Sequence, residues 1–129
     1  RRGIAQLALK GFFNLANRWQ LSRPEAMTLL GLTATSTYAN WKNGKTGIIL
    51  RDIFERISYL FNIDDRLRQT CHGDQHLRQW LRQLHDDLPN LSPLARMLKG
   101  NVIDLYWVQQ NIGLLTQSIL APLPEAESA

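Results

Sequence analysis

The stretch SRPEAMTLLGLTATSTYANWKNGKTG, running from Ser22 to Gly47, decides how this chain is read. Its first part has the marks of a short helix. Ser22 caps the start, Glu25 three residues on completes a capping box, and Pro24 sits in the first turn, where its missing N–H costs little. Gly31 ends the helix, because glycine is favoured where the backbone needs positive φ. Leu32 packs inward at the turn, and a second helix starts near Thr35. Two short helices joined in this way have the spacing of a helix-turn-helix.

The second helix of the pair buries Tyr38 and Trp41 and leaves Thr35, Ser36, Thr37 and Asn40 outward. Small hydroxyls and an amide reach base edges or phosphates in a major groove. Lys42 and Lys45 follow at the helix end, and Arg23 opens the helix before; such cations suit a phosphate backbone. No carboxylate interrupts the run from Thr33 to Gly47. Glycine-joined helix pairs also occur in all-α proteins that never meet DNA. The charge distribution favours contact with a polyanion. Residues 1–60 carry nine basic and three acidic groups, net +6, whereas residues 61–129 carry six and eight, net −2.

Outward from this stretch the signal stays helical. Ile4, Leu7, Ala8, Phe12, Leu15 and Trp19 mark one stripe of a first helix. Ile49, Ile53, Ile57 and Leu60 share a face of another, widened by Phe54 and Phe61. NIDDR, from Asn62, breaks that run and begins a short helix through Leu67. Asp74 caps a helix with Leu77, Trp80, Leu81, Leu84 and Leu88 on one side and Arg78, Gln79, Arg82 and Asp86 on the other. LPNLSP is a loop, and Ser92 with Pro93 restarts a short helix through Met97. KGN turns the chain into a last helix carrying Leu105, Val108, Ile112, Leu115 and Ile119, and residues 121–129 read as a frayed tail. No β alternation and no repeat is visible, so the expected fold is all-α.

Composition removes several classes. Apolar content of 44% with 20% charged residues supports a packed core. No apolar run approaches the roughly 18 residues of a membrane span. The single cysteine, Cys71, forms no internal disulfide, which points to a reducing cytoplasm. The chain opens on Arg1 rather than Met, so a start is expected to be missing. Cys71, His72 and His76 invite a metal reading, but Gly73 and Asp74 break the helix between the histidines, and a zinc site wants three or four ligands. A Cys–His nucleophile pair lacks an orienting group, and KNGKTG lacks the spacing and preceding strand of a phosphate-binding loop. No catalytic residue, metal or cofactor is assigned. Trp19, Trp41, Trp80 and Trp107 fall on or beside apolar stripes. Tyr106, Trp107 and Val108 cannot all point inward, so one of them is a candidate interface residue.

The segment LSRPEAMTLLGLTATSTYANWKNGKTGIILRDIFERISYLFNI resembles the helix-turn-helix of Xre/MbcA/ParS-type antitoxins. The LLGL turn, Thr37 before YANW, the glycine after the tryptophan and the closing ERISYLFNI carry the likeness. The second half is similar to that family's toxin-binding region, through Trp80–Leu81, LPNLSPLARMLKGN and a long terminal helix. From Gly31 to Trp41 is ten steps, where the usual pattern has about nine, which puts the register of the recognition helix at issue by one position. The resemblance implies a helix-turn-helix DNA-binding region over residues 1–62, a toxin-binding region over 63–120 and a tail over 121–129. It implies an antitoxin of a type II toxin–antitoxin system that occludes a RES-domain, NAD-consuming toxin. It further implies binding to the operator of its own operon, as a homodimer or a higher antitoxin–toxin assembly. Arg78, Arg82, Leu94, Met97, Lys99, Gly100 and Asn101 are the residues it points to for toxin contact. By pattern, Leu94 to Asn101 is a helix end and tight turn that either projects into a partner's pocket or forms a hairpin of the core. A stand-alone helix-turn-helix repressor, whose second half only dimerises, is the competing reading.

Overall fold

A computed structural model of the chain describes residues 2–120. Among the described residues the fold is all-α, with eight helices and no strand. These are α1 (Arg2–Trp19), α2 (Arg23–Leu30), α3 (Thr35–Lys42), α4 (Arg51–Thr70), α5 (Asp74–Arg82), α6 (Pro93–Met97), α7 (Val102–Leu115) and α8 (Gln117–Leu120). The tail expected over residues 121–129 lies outside the described residues. No described helix is long and apolar enough to cross a membrane.

Helix α4 is the spine. It packs most extensively against α7 and next against α1, and it also meets α2 and α5. Its buried stripe of Ile53, Ile57, Leu60, Ile63 and Leu67 joins Phe12 and Trp19 of α1, Leu29 and Leu30 of α2, and Val108 and Leu115 of α7 in one contiguous core. Full burial of each such side chain stabilises the fold by about 1.5–3 kcal/mol. Residues 62 and 63 fall inside α4, so the N-terminal and C-terminal regions share that helix.

Helix ends follow local chemistry at several places. The Ser22 hydroxyl accepts the Glu25 amide at 3.2 Å and the Glu25 carboxylate accepts the Ser22 amide at 2.9 Å, closing the capping box. Ser92 Oγ accepts the Ala95 amide at 3.0 Å, with Pro93 opening α6.

The structure corrects five expectations. NIDDR does not break a helix: α4 runs through it, with Asp64 neutralised from α1 by Arg18 (2.9 Å) and accepting a hydrogen bond from Trp19 Nε1 (2.8 Å). The stripe expected over Leu77–Leu88 is not one helix. Asp74 opens α5 behind Gly73 without capping it, and the helix stops at Arg82. Leu84 is therefore exposed, and Leu88 is buried from a turn bridged to His85. On α1 the core face is Ala5, Leu9, Phe12, Leu15, Ala16 and Trp19, which leaves Ile4 and Leu7 to solvent at 60% and 72% exposure. Phe61 is exposed beside Gly11 rather than widening the α4 core face. The last helix is interrupted at Thr116, whose hydroxyl donates back to the Ile112 carbonyl at 2.7 Å, and Ile119 belongs to α8.

Candidate nucleic-acid interface and partner surface

The turn of the motif is built around Gly31. It holds φ +76° and its amide donates to the Thr28 carbonyl at 3.0 Å, while the Leu32 amide donates to Met27 at 2.9 Å. A β-carbon on Gly31 would lie 2.8 Å from Cζ of Arg56. Arg56 is buried on the α4 stripe and fills the space that glycine leaves. Its Nη1 faces the last carbonyls of α2, Thr28 and Leu29, both at 3.5 Å. Its Nη2 donates to the Gly100 carbonyl at 3.0 Å and its Nε to Asp52 at 3.0 Å. One guanidinium thus faces the helix end, has its charge balanced by Asp52, and ties the turn of the motif to the turn before α7 through the Gly100 carbonyl. An arginine among Ile53, Ile57 and Leu60 is a signal, visible in the sequence, that an internal partner exists; the sequence reading did not use it.

Helix α3 lies over α1, held by Tyr38, which is buried and meets Phe13 edge to face with ring centroids 5.5 Å apart. Burial pushes the Tyr38 hydroxyl above its ordinary pKa. Trp41 is half-buried behind it. The face turned to solvent is Thr35, Ser36, Ala39 and Asn40, with Thr37 half-buried. The outward set is therefore the expected one, except that Thr37 turns toward the body and Ala39 takes its place. Ala34 caps α3 without a side-chain bond, so no side chain blocks its first-turn amides. Gly44, at φ +86°, ends the helix, and the Lys45 amide donates to the Asn40 carbonyl at 2.8 Å, fixing the start of the lysine loop. Lys42 and Lys45 are exposed. Arg23, Tyr38, Ala39, Lys42 and Asn43 line one open concavity of about 190 Å³, bringing Arg23 beside α3.

The seven residues expected to meet a toxin do not form one surface. Arg78 donates through Nε to the Arg18 carbonyl at 2.8 Å, satisfying the end of α1. Arg82 grips Glu25 with two bonds of 2.9 and 3.1 Å. That hydrogen bond is the main reason the Glu25 carboxyl sits below its ordinary pKa and Arg82 above its own. Leu94 and Met97 are core residues, 1% and 0% exposed, because α6 packs this face on α5 and α7. Their side chains present nothing to a partner. Lys99 is exposed, Gly100 gives its carbonyl to Arg56, and Asn101 is exposed with its amide on Asp104 at 3.2 Å. What is left of the set as one accessible patch is the turn Lys99–Asn101, beside Thr28 of α2.

The histidines have local partners. His76 Nδ1 accepts the His72 amide at 2.8 Å and the two rings stack, while a ring nitrogen of His85 lies 3.2 Å from the Trp80 carbonyl. Among the described residues no group of three metal-binding side chains gathers. Cys71 is half-buried, which raises its thiol pKa and lowers its reactivity.

Comparison with known proteins bears on the same two regions. Residues 4–62 match the model of the antitoxin Xre-like helix-turn-helix domain, which places α1 to most of α4 in one module. The uncharacterized protein y4oB of Sinorhizobium fredii is 35% identical over 102 residues, covering 79% of this chain and 78% of its own length. That similarity is longer than the helix-turn-helix segment and so takes in part of the C-terminal region. No solved structure gives a significant match. The domain, the fold and the carboxylate-free outer face of α3 mark a DNA-binding antitoxin or regulator, and suggest a binding protein rather than an enzyme. The chain belongs to the same family as y4oB, and its own residues 4–62 are similar to the antitoxin Xre-like helix-turn-helix domain.

Proposed function

We propose that this protein is the antitoxin of a type II toxin–antitoxin pair, acting in the cytoplasm. Its α2–α3 unit binds the operator of its own operon, and its C-terminal region binds and occludes a RES-domain, NAD-consuming toxin. The observation that carries the DNA half is the outer face of α3 with the loop after it. Thr35, Ser36 and Asn40 face solvent, Lys42 and Lys45 flank them, and Arg23 stands at the rim. Thr35, Ser36 and Asn40 read base edges, while Arg23, Lys42 and Lys45 hold phosphates on either side. Thr37 assists by fixing the helix rather than by reaching a base.

For the toxin half the support is the family and the exposed turn Lys99–Asn101. Arg78 and Arg82 act indirectly, holding α5 to α1 and α2, and Leu94 and Met97 shape the turn from beneath. The mechanism is occlusion and charge complementarity, with no covalent step. Operators of helix-turn-helix proteins are read two-fold, so a homodimer, alone or within an antitoxin–toxin assembly, is the expected binding form. One observation favours the competing stand-alone repressor, namely the apolar outer face of α7, which suits dimerisation without any toxin. Co-expression with the product of the adjacent gene separates the two. An antitoxin co-purifies with that product and stops its consumption of NAD; a stand-alone repressor does neither.

A further inference from the structure

Helices α1 and α3 and the loop after α3 enclose a hollow of about 490 Å³, within the size range of small-molecule sites. Its apolar floor is Leu9, Phe13 and Trp41. Phe13 sits edge to face against Phe12 and Tyr38, each with ring centroids 5.5 Å apart, which fixes its ring. At one side Gln6 Nε2 reaches from α1 to the Gly44 carbonyl of the loop, at 3.4 Å. A second hollow of about 260 Å³ adjoins the first and shares Phe13, Asn14 and Lys42 with it.

The charged groups around this floor have one sign. Lys10 and Lys42 stand at the rim, both exposed, and among the described residues neither makes an ion pair. No carboxylate lines either hollow. Of residues 1–47 only Glu25 is acidic, and Arg82 holds it at 2.9 and 3.1 Å. The hollow of about 500 Å³ between α1 and α4 is different: there Asp64 already meets Arg18 and Arg68, so charge is matched internally. Thr46 supplies a second observation. It is 5% exposed and lines the α1–α3 hollow, yet its hydroxyl has no hydrogen-bond partner. A buried hydroxyl left in this way weakens a fold unless a bound group satisfies it.

We propose that this hollow binds a small aromatic anion. Its ring lies on Phe13 and Trp41, its carboxylate or phosphate sits between Lys10 and Lys42, and a polar atom of the ligand meets the Thr46 hydroxyl. Lys42 also belongs to the proposed DNA face, so a bound anion takes a phosphate contact away from the operator. That consequence rests on the DNA reading; the binding itself does not.

Isothermal titration calorimetry of the purified full chain in phosphate-free buffer tests the site. Two probes distinguish the anion: indoleacetate carries a carboxylate and adenosine monophosphate a phosphate. At least one binds one to one with a dissociation constant below about 1 mM. Inorganic phosphate and adenosine, which lack the ring or the charge, bind roughly tenfold more weakly or less. Lys10→Gln, exposed and outside the proposed DNA face, weakens the bound probe roughly tenfold and leaves melting unchanged. Thr46→Val weakens it roughly fivefold without lowering Tm, since the hydroxyl has no internal partner to lose. Arg68→Gln, in the α1–α4 hollow, leaves binding as it was. Failure of both probes to bind overturns the proposal, and because no DNA is present it leaves the antitoxin reading standing. Binding that survives both Lys10→Gln and Thr46→Val, or that Arg68→Gln abolishes, also overturns it. So does a Thr46→Val protein that melts well below the wild type, which assigns the hydroxyl to the fold.

Discussion

Replacing Gly31 with alanine perturbs the point where the two halves of the molecule are joined. Two effects add. The residue holds φ +76°, and an alanine there bears a left-handed penalty of about 1 kcal/mol. The new β-carbon also falls 2.8 Å from Cζ and Nε of Arg56, so the guanidinium must move. Arginine ends are flexible, but this one is buried and bonded, and moving it gives up the 3.0 Å hydrogen bond to Gly100. A hydrogen bond to a charged group contributes roughly 1.5–3 kcal/mol. The 3.5 Å approaches to Thr28 and Leu29 are too long to add much. Together the loss is about 2–4 kcal/mol, a drop in Tm on the order of 10 °C for a chain of this size. Urea denaturation of four proteins separates the parts: wild type, Gly31→Ala, Arg56→Ala and the double variant. In the Arg56→Ala background the clash is gone, so Gly31→Ala costs only the backbone part, about 1 kcal/mol. A Gly31→Ala protein within about 0.5 kcal/mol of wild type refutes the reasoning, and so does strict additivity of the two changes.

The remaining predictions are simpler. Lys42→Ala and Lys45→Ala weaken binding to all duplexes alike and each lowers the salt slope by about one, measured by anisotropy at several salt concentrations; unchanged slopes remove that loop from DNA. Ser36→Ala or Asn40→Ala instead changes base preference, by about 1–3 kcal/mol at one operator position; equal losses on all sequences assign them to the backbone. Lys99→Glu leaves folding intact, since the side chain is exposed, and restores growth arrest when the toxin is co-expressed; undiminished protection takes the turn out of the interface. The Glu25 carboxyl has a folded pKa below its unfolded one, so its pairing with Arg82 is fully present above about pH 4.5 and is lost as pH falls through the folded value. Melting curves across that acid range fall less steeply for Glu25→Gln than for the wild type; identical slopes exclude the pair as a source of acid sensitivity.

Local chemistry was what the sequence made legible. Ser22, Pro24, Glu25 and Gly31 bound α2 by bonds within a few residues, and the same holds for Ser92 and Pro93 at α6. Thr35 as the first residue of α3 follows from the turn before it. What escaped was set by contacts distant in sequence. Asn62–Asp65 has the composition of a break, but Asp64 is held by Arg18 and Trp19, some 45 residues back. On α1, Ile4 and Leu7 are more hydrophobic than Ala5 and Ala16, yet burial went to the face that meets α4, where small residues fit. Arg78 and Arg82 looked free because their partners, the Arg18 carbonyl and Glu25, are 60 and 57 residues away. Leu94 and Met97 were assigned to a projection that the packing of α6 on α7 turns inward. For the face proposed to meet DNA, the sequence made the exposure legible. The face is polar and solvent-exposed, so its composition is not disguised by packing, and of its expected outward residues on α3 only Thr37 is half-buried.

The most direct measurement of the central claim is a titration of the purified chain against the duplex upstream of its own gene, beside a scrambled duplex, from dilute buffer to physiological salt. The account predicts tighter binding to the upstream duplex, steep weakening with salt, and a marked loss in the Lys42→Ala/Lys45→Ala double variant. No association with either duplex in dilute buffer, where phosphate attraction is strongest, contradicts it.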